Sequence, residues 1–270
     1  MTSLAPAVAP ASWETLGQAY GQTSLVQVDG VGGYVRLGLV VVLLAGLAAL
    51  VNRLGGLAHG RDDLTAAARA TLQLAVVGLL IAAVLRSWWL TALFIVLMLM
   101  TASVTAGRRL APTGRWPWAA ASVWGSAVPV GAGLLVSGLI PLTEVAVVPI
   151  LGILIGGAMT ATTLSGRRTL DALRTRHGEV EAALSLGLEV RDARLLIGRD
   201  DAGLALVPGL DQTRTVGLVT LPGAFVGMLL GGSTPIQAAA VQLVVLVALL
   251  LVQSIATLVT LELITRDVLR

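Results

Sequence analysis

"GEVEAALSLG", Gly178 to Gly187, is an alanine-rich, doubly acidic stretch in a chain whose other long runs are almost pure hydrocarbon. Ala, Glu and Leu are strong helix formers, and Leu170, Leu173, Val180, Leu184 and Leu188 recur at steps of three, four or seven residues. That spacing predicts a helix with one apolar face. Gly187 stands where such a helix ends or turns. Several arginines flank it on either side, so the segment reads as a charged helical insert between apolar elements, and those elements decide the fold.

Of the 270 residues, 56% are hydrophobic and 12% are charged, about half the charge of an average soluble domain. Apolar runs of the 17 to 25 residues or so that cross a hydrocarbon core recur along the chain. We read seven: 34–51, 66–85, 88–106, 118–139, 145–164, 210–230 and 236–261. The second and third are separated by Arg86 and Ser87, which requires a tight hairpin. The sixth is the least uniform, because it opens on Asp211 and Arg214 and contains Pro222. The fold expected is an all-α integral membrane protein, with a transmembrane domain over 34–270 and a loop over 165–209 that carries the charged helix.

Orientation follows from the arginines, since short basic loops stay in the cytoplasm. Arg53, Arg61 and Arg69 follow the first run, Arg108, Arg109 and Arg115 the third, and Arg167, Arg168, Arg174, Arg176, Arg191, Arg194 and Arg199 the fifth; Arg266 and Arg270 close the chain. Only Arg36 and Arg86 fall on the other side. An external N-terminus, a cytoplasmic C-terminus and an inner (plasma) membrane location are therefore expected. Residues 1–33 hold no basic start and no continuous apolar stretch, so they read as a flexible external tail, with an interfacial helix near Trp13 as a further expectation. The pI near 10.5 reflects these basic loops and implies contact with lipid headgroups, not nucleic acid.

What is missing excludes chemistry. All 18 basic residues are arginine, so no P-loop lysine exists to reach a nucleotide phosphate and no lysine Schiff base can form. There is no cysteine, hence no thiol nucleophile or thiolate ligand. The two histidines, His59 and His177, both lie outside the apolar runs, which rules out an intramembrane zinc protease or a serine–histidine dyad within a span. The chain is not expected to be catalytic by itself.

The charged helix admits two readings. It could lie on the anionic inner leaflet, apolar side down. Glu179 and Glu181 at its centre would be repelled there, and an acidic and basic mosaic with a leucine face suits a protein partner better.

Glu181-Ala182-Ala183, three residues and then Gly187 resembles the EAA-x3-G loop of ABC-transporter permeases, with Ile197 ten residues after the glycine as in that pattern. The pattern's Leu-Pro falls on Arg199 and Asp200, so the end of the loop departs from it. More specific is "LDQTRTVGLVTLPGAFVGMLLGGSTPIQAAAVQLVV", Leu210 to Val245, which is similar to the signature of the UPF0014 family of FetB-type permeases; "RATLQLAVVG", Arg69 to Gly78, resembles a second segment of the same family. The likeness runs from about Tyr34 to Leu261. It implies a permease working with a separate ABC ATPase subunit that holds the ATP and magnesium, no cofactor on this chain, a homodimer, a coupling helix at Glu181, Ala182, Ala183 and Gly187, and iron export in bacterial members.

Polar groups inside spans are costly and therefore informative. Gln73, Gln242 and Gln253 have no local backbone solution, whereas Thr160, Thr162, Thr163 and Thr220 can bond their own helix. Pro222 and Gly223 are expected to kink or break the sixth run, exposing carbonyls to a solute path or serving packing alone. The substrate pathway is accordingly placed at Gln73, Thr220, Pro222, Gly223 and Gln242. Asp211 and Arg214, three residues apart, form an ion pair as a gate or a helix anchor. Gly223, Gly227 and Gly231, and Gly152 with Gly156, offer smooth stripes for helix approach. No imidazole or mid-span carboxylate suits iron(II), so the metal follows from the resemblance alone, and a polar solute fits the residues equally. Two other classes stay open: a gradient-driven secondary transporter, for which only Glu262 comes near to a proton relay, and a membrane scaffold that recruits a partner.

Overall fold

The computed structural model describes residues 30–57, 60–110 and 116–269. The tail expected over 1–33 lies outside the described residues as far as residue 29, as do the helix expected near Trp13, His59 and Arg115. The chain divides into two units, 1–86 and 87–270.

The first unit holds α1 (Gly30–Leu54) and α2 (Gly60–Val84), packed as a hairpin. Gly56, at φ +68°, ends α1, and Leu57 N–H returns to Asn52 C=O at 2.9 Å. The Asn52 amide donates to Asp63 at the start of α2 and ties the two helices together. The apolar windows of both helices are unburied within the unit, with Leu39 and Leu72 about two-thirds exposed. Such surfaces would be untenable in water and cost nothing against lipid tails.

The second unit is built on α3 (Trp88–Leu110), α4 (Ala119–Val136), α5 (Glu144–Thr175) and α10 (Pro235–Thr265). Small side chains at the crossings let backbones approach: Ala106, Ala119, Ala158 and Ala256 are fully buried. Gly157 lies so close to Leu249 that a Cβ would overlap it, and Gly166 meets Leu110 in the same way. The hydroxyls on these helices mostly bond the carbonyl four residues back, as Thr160 does to Gly156 (3.0 Å) and Thr163 to Met159 (2.9 Å). Thr162 instead reaches across to Ser122 Oγ, which also lies 2.8 Å from Thr260 Oγ1 and from Ala256 C=O. This buried hydroxyl cluster joins α4, α5 and α10.

Among the described residues, six helices are long and apolar enough to cross a membrane. The sixth apolar run, 210–230, is a broken element. Its first part belongs to α8 (Val207–Thr215), the chain turns through 216–222, and α9 (Gly223–Leu230) follows. The break was expected at Pro222 but begins six residues earlier, where Val216 is extended and Gly217 takes φ +85°. Thr215 C=O receives the N–H of Val219 at 2.9 Å, and Gly217 donates to Thr220 C=O at 2.9 Å, so the turn satisfies its own backbone. Pro222, lacking an N–H, stands as the N-cap of α9. A Thr234–Gln237 capping box then starts α10.

The loop expected over 165–209 is almost entirely helical. The 32 residues of α5 span about 48 Å, well over the roughly 30 Å of hydrocarbon, so its last turns extend beyond the membrane. Two short helices pack on that extension, α6 (His177–Ser185) and α7 (Val190–Gly203), and a 3-10 turn, Leu204–Leu206, leads straight into α8.

Candidate functional site

The helix expected from "GEVEAALSLG" is α6. Val180 and Ala183 face inward and join Leu173 of α5 and Ala193 and Ile197 of α7 in one apolar cluster. Glu181 and Ala182 point outward, the Glu181 side chain 67% exposed and 3.4 Å from His177 Nδ1. The glycine four residues after Ala183 has a physical reason: Gly187 takes φ +90° and its N–H bonds Leu184 C=O, while Leu188 N–H bonds Ala183 C=O at 3.2 Å. This closes α6 with a Schellman motif, which only glycine forms without strain. Gly187→Ala is expected to cost about 1 kcal/mol, read as a lower thermal midpoint in detergent with α6 frayed to protease.

Arginines fix the group of helices. Arg176 makes a two-pronged contact with Glu179 (2.7 and 2.6 Å) and reaches Ile197 C=O at 3.4 Å, fastening the α5–α6 corner to α7. The guanidinium holds the Glu179 carboxyl below the usual glutamate range. A lowered carboxylate contributes its stability above the ordinary pKa of about 4.3 and loses it only as pH falls through the lowered value, so this corner is unchanged across neutral pH. Arg191 of α7 makes a second two-pronged contact, with Glu262 of α10 (2.8 and 2.9 Å), and Arg266 approaches the same carboxylate. Glu262 is thus occupied by two arginines, an arrangement suited to a clamp. Sequence reasoning missed this clamp because its partners are 71 residues apart.

Around these fixed contacts the outer face is apolar. Leu184, Leu186, Leu188 and Val190 are exposed, Leu186 at 83%, and a cleft bordered by His177, Glu181, Leu184 and Arg194 lies beside them. The surface combines leucines with Glu181, Glu189 and flanking arginines.

The pathway residues fall at separate places. Thr220, Pro222 and Gly223 come together in the break between α8 and α9, all on its outer side except the half-buried proline. Gln242 is buried on α10, 5% exposed, with its Oε1 unpartnered. Gln73 is exposed on α2 in the first unit. Asp211 and Arg214 do pair, at 3.7 Å, on the exposed side of α8. Of the glycine stripes, Gly223, Gly227 and Gly156 meet open space, whereas Gly152 contacts the Met98 methyl. Among the described residues no group of three His, Asp or Glu is placed to hold a metal ion.

Long apolar helices with lipid-suited surfaces and a charged helical appendage define a multi-pass membrane protein. Its sequence matches the family described as "Uncharacterised protein family (UPF0014)" over residues 34–269. The chain belongs to the UPF0014 family. It is 34% identical to the "UPF0014 membrane protein STAR2" of Oryza sativa subsp. japonica, across 76% of this chain and 72% of that one. It is 32% identical to the "Protein ALUMINUM SENSITIVE 3" of Arabidopsis thaliana, across 77% and 76%. With the "Probable iron export permease protein FetB" of Escherichia coli it shares 30% identity, across 82% and 86%. No solved structure matches the chain.

Proposed function

We propose that this chain is the membrane-spanning subunit of an ABC transporter in the plasma membrane, with α6 as the docking point for a separate ATPase that binds the ATP and magnesium. The observation that carries the reading is α6 itself: a helix whose inner face is packed onto the α5 extension while Glu181 and the leucines after it stay uncovered. A rigid, outward, mixed acidic and apolar helix can receive a push from a partner and pass it on. The likeness to a protein named as an iron export permease supports a transport role, with iron or a polar solute as cargo. Two copies of the chain would bind two ATPase subunits, and nucleotide binding would favour one of two access states.

The test is ATP hydrolysis by a candidate ATPase subunit reconstituted with this chain in lipid vesicles. Glu181→Arg is expected to reduce stimulation at least tenfold and to break co-purification, while the variant keeps the wild-type thermal midpoint because its side chain is exposed. Unchanged stimulation by Glu181→Arg would sink the docking role of α6. A gradient-driven transporter would instead move its cargo in vesicles without any ATPase.

A further inference from the structure

One joint holds α8 against α10. Gly209 is buried on α8, and a Cβ there would overlap Gln253 Oε1. A Cβ on Gly157 of α5 would lie 3.7 Å from Gln253 Nε2 on the other side. The Gln253 amide is therefore held between the backbones of two helices. Its Oε1 is nonetheless buried without a hydrogen-bond partner, and so is Thr257 Oγ1, one turn further along α10 on a residue only 4% exposed. Buried acceptors left unpaired carry a free-energy cost that water would relieve. Packing keeps this joint shut over groups that gain from being opened.

The joint also lies at the end of a mechanical train. From Val190 through the 3-10 turn Leu204–Leu206 to Thr215 the chain runs from helix to helix, a jointed rod of about 40 Å along its path at about 1.5 Å per residue, with Pro208 at the joint. Its near end follows α6 across the Gly187 turn and is fastened to α10 by Arg191 and Glu262. Beyond its far end the 216–222 break leaves α8 free of any continuous helix. A displacement of α6 that pivots the rod on the Glu262 clamp moves Gly209 relative to Gln253.

We infer that Gly209, Gln253 and Thr257 form a gate, closed in this conformation, that opens when α8 tilts away from α10 and admits water to the Gln253 and Thr257 oxygens. The inference rests on the transporter reading and assigns the moving part within it.

The chain has no cysteine, so single cysteines report one position each. Thr257→Cys, Ala158→Cys as a buried control and Leu186→Cys as an exposed one are labelled in membranes with a small, charged thiol reagent. Thr257→Cys is expected to be slow, and at least tenfold faster when combined with Gly209→Ala, whose methyl drives the Gln253 amide out of the joint, or with Gln253→Ala, which removes it. Ala158→Cys stays slow and Leu186→Cys fast in all backgrounds. Thr257→Cys that labels fast in the otherwise native chain, or stays slow in both altered backgrounds, overturns the gate. With a stimulating ATPase present, a non-hydrolysable nucleotide should change the Thr257→Cys rate at least fivefold; stimulation without that change also overturns it. Absence of any stimulating ATPase counts against the proposed function instead, and the Gly209→Ala and Gln253→Ala arms still decide the gate.

Discussion

Glu262→Arg is expected to abolish coupling between a bound ATPase and this chain while leaving membrane insertion intact. The carboxylate accepts both prongs of Arg191 and a third bond from Arg266, and it ties α7 to α10 beside the bond from Arg194 to Thr265 C=O. Charge-assisted hydrogen bonds contribute about 1.5–3 kcal/mol each in general, but Glu262 and Arg191 are 34% and 40% exposed, and solvent screening brings the clamp well below that. Glu262→Gln, which keeps the shape and loses the charge, should therefore lower the thermal midpoint by only a few degrees. The arginine substitution adds repulsion among three guanidinium groups and should push the Arg191 end of α7 away from α10, although Ala193 and Ile197 stay packed. The readout is ATPase stimulation in vesicles set beside thermal unfolding in detergent: stimulation falls more than tenfold for Glu262→Arg and two- to threefold for Glu262→Gln. If Glu262 served as a proton relay, Glu262→Gln would be as damaging to transport as Glu262→Arg, and that equality would count against the clamp.

The second large effect is expected at Ser122, where α4, α5 and α10 cross. Its hydroxyl is fully buried and has three neighbours at 2.8 Å, Thr162 Oγ1, Thr260 Oγ1 and Ala256 C=O. One hydroxyl carries one proton, so Ser122 donates to one of these and accepts from another, and the cluster works only as a set. Ser122→Ala should cost about 1 kcal/mol, in line with interhelical hydrogen bonds in membranes, because Thr260 retains Ala256 C=O at 2.7 Å. Ser122→Leu forces three extra carbons between helices already in contact through Ala119 and Val123 and should cost about 3 kcal/mol or more. Unfolding in detergent separates the two, and equal losses for both variants would show that the hydroxyl, not close packing, is what the site requires.

Much of the architecture is legible in the sequence because hydrocarbon thickness sets a length that few other folds demand. The runs over 34–51, 88–106, 145–164 and 236–261 each fall inside a single helix, and 66–85 overruns its helix by one residue. Hydropathy fails at 210–230 for a physical reason: "TVGLVTLPG" is uncharged and mostly apolar, yet Gly217 adopts a left-handed backbone and Pro222 has no N–H, so residues 216–222 are hydrophobic without being helical. Leu218 and Val219 in that turn are 94% and 76% exposed, as apolar as a span but not packed like one. α6 was legible down to its glycine, since the Schellman turn needs a residue free to take positive φ, but its buried face is Val180 and Ala183, while Leu184 and Leu188 of the expected apolar stripe stay exposed. Ser122 was not, because serine in an alanine-rich run looks like a small packing residue; its spacing of four from Ser126 marks a face but names no partner. Gln242 and Gln253 could be recognised as unlikely lipid-facing groups, but only the folded chain puts Gly209 against one of them.

The most direct test of the docking role of α6 is photo-crosslinking from Leu186 in intact membranes. A photoreactive residue in place of Leu186, 83% exposed on the α6 face, is compared with one in place of Leu139, 65% exposed between α4 and α5 at the other end of those helices. The account predicts a crosslink from position 186 to a P-loop ATPase subunit, identified by mass spectrometry and lost in the Glu181→Arg background, with none from position 139. Crosslinking of that subunit from position 139 instead, or of lipid alone from position 186, would contradict it.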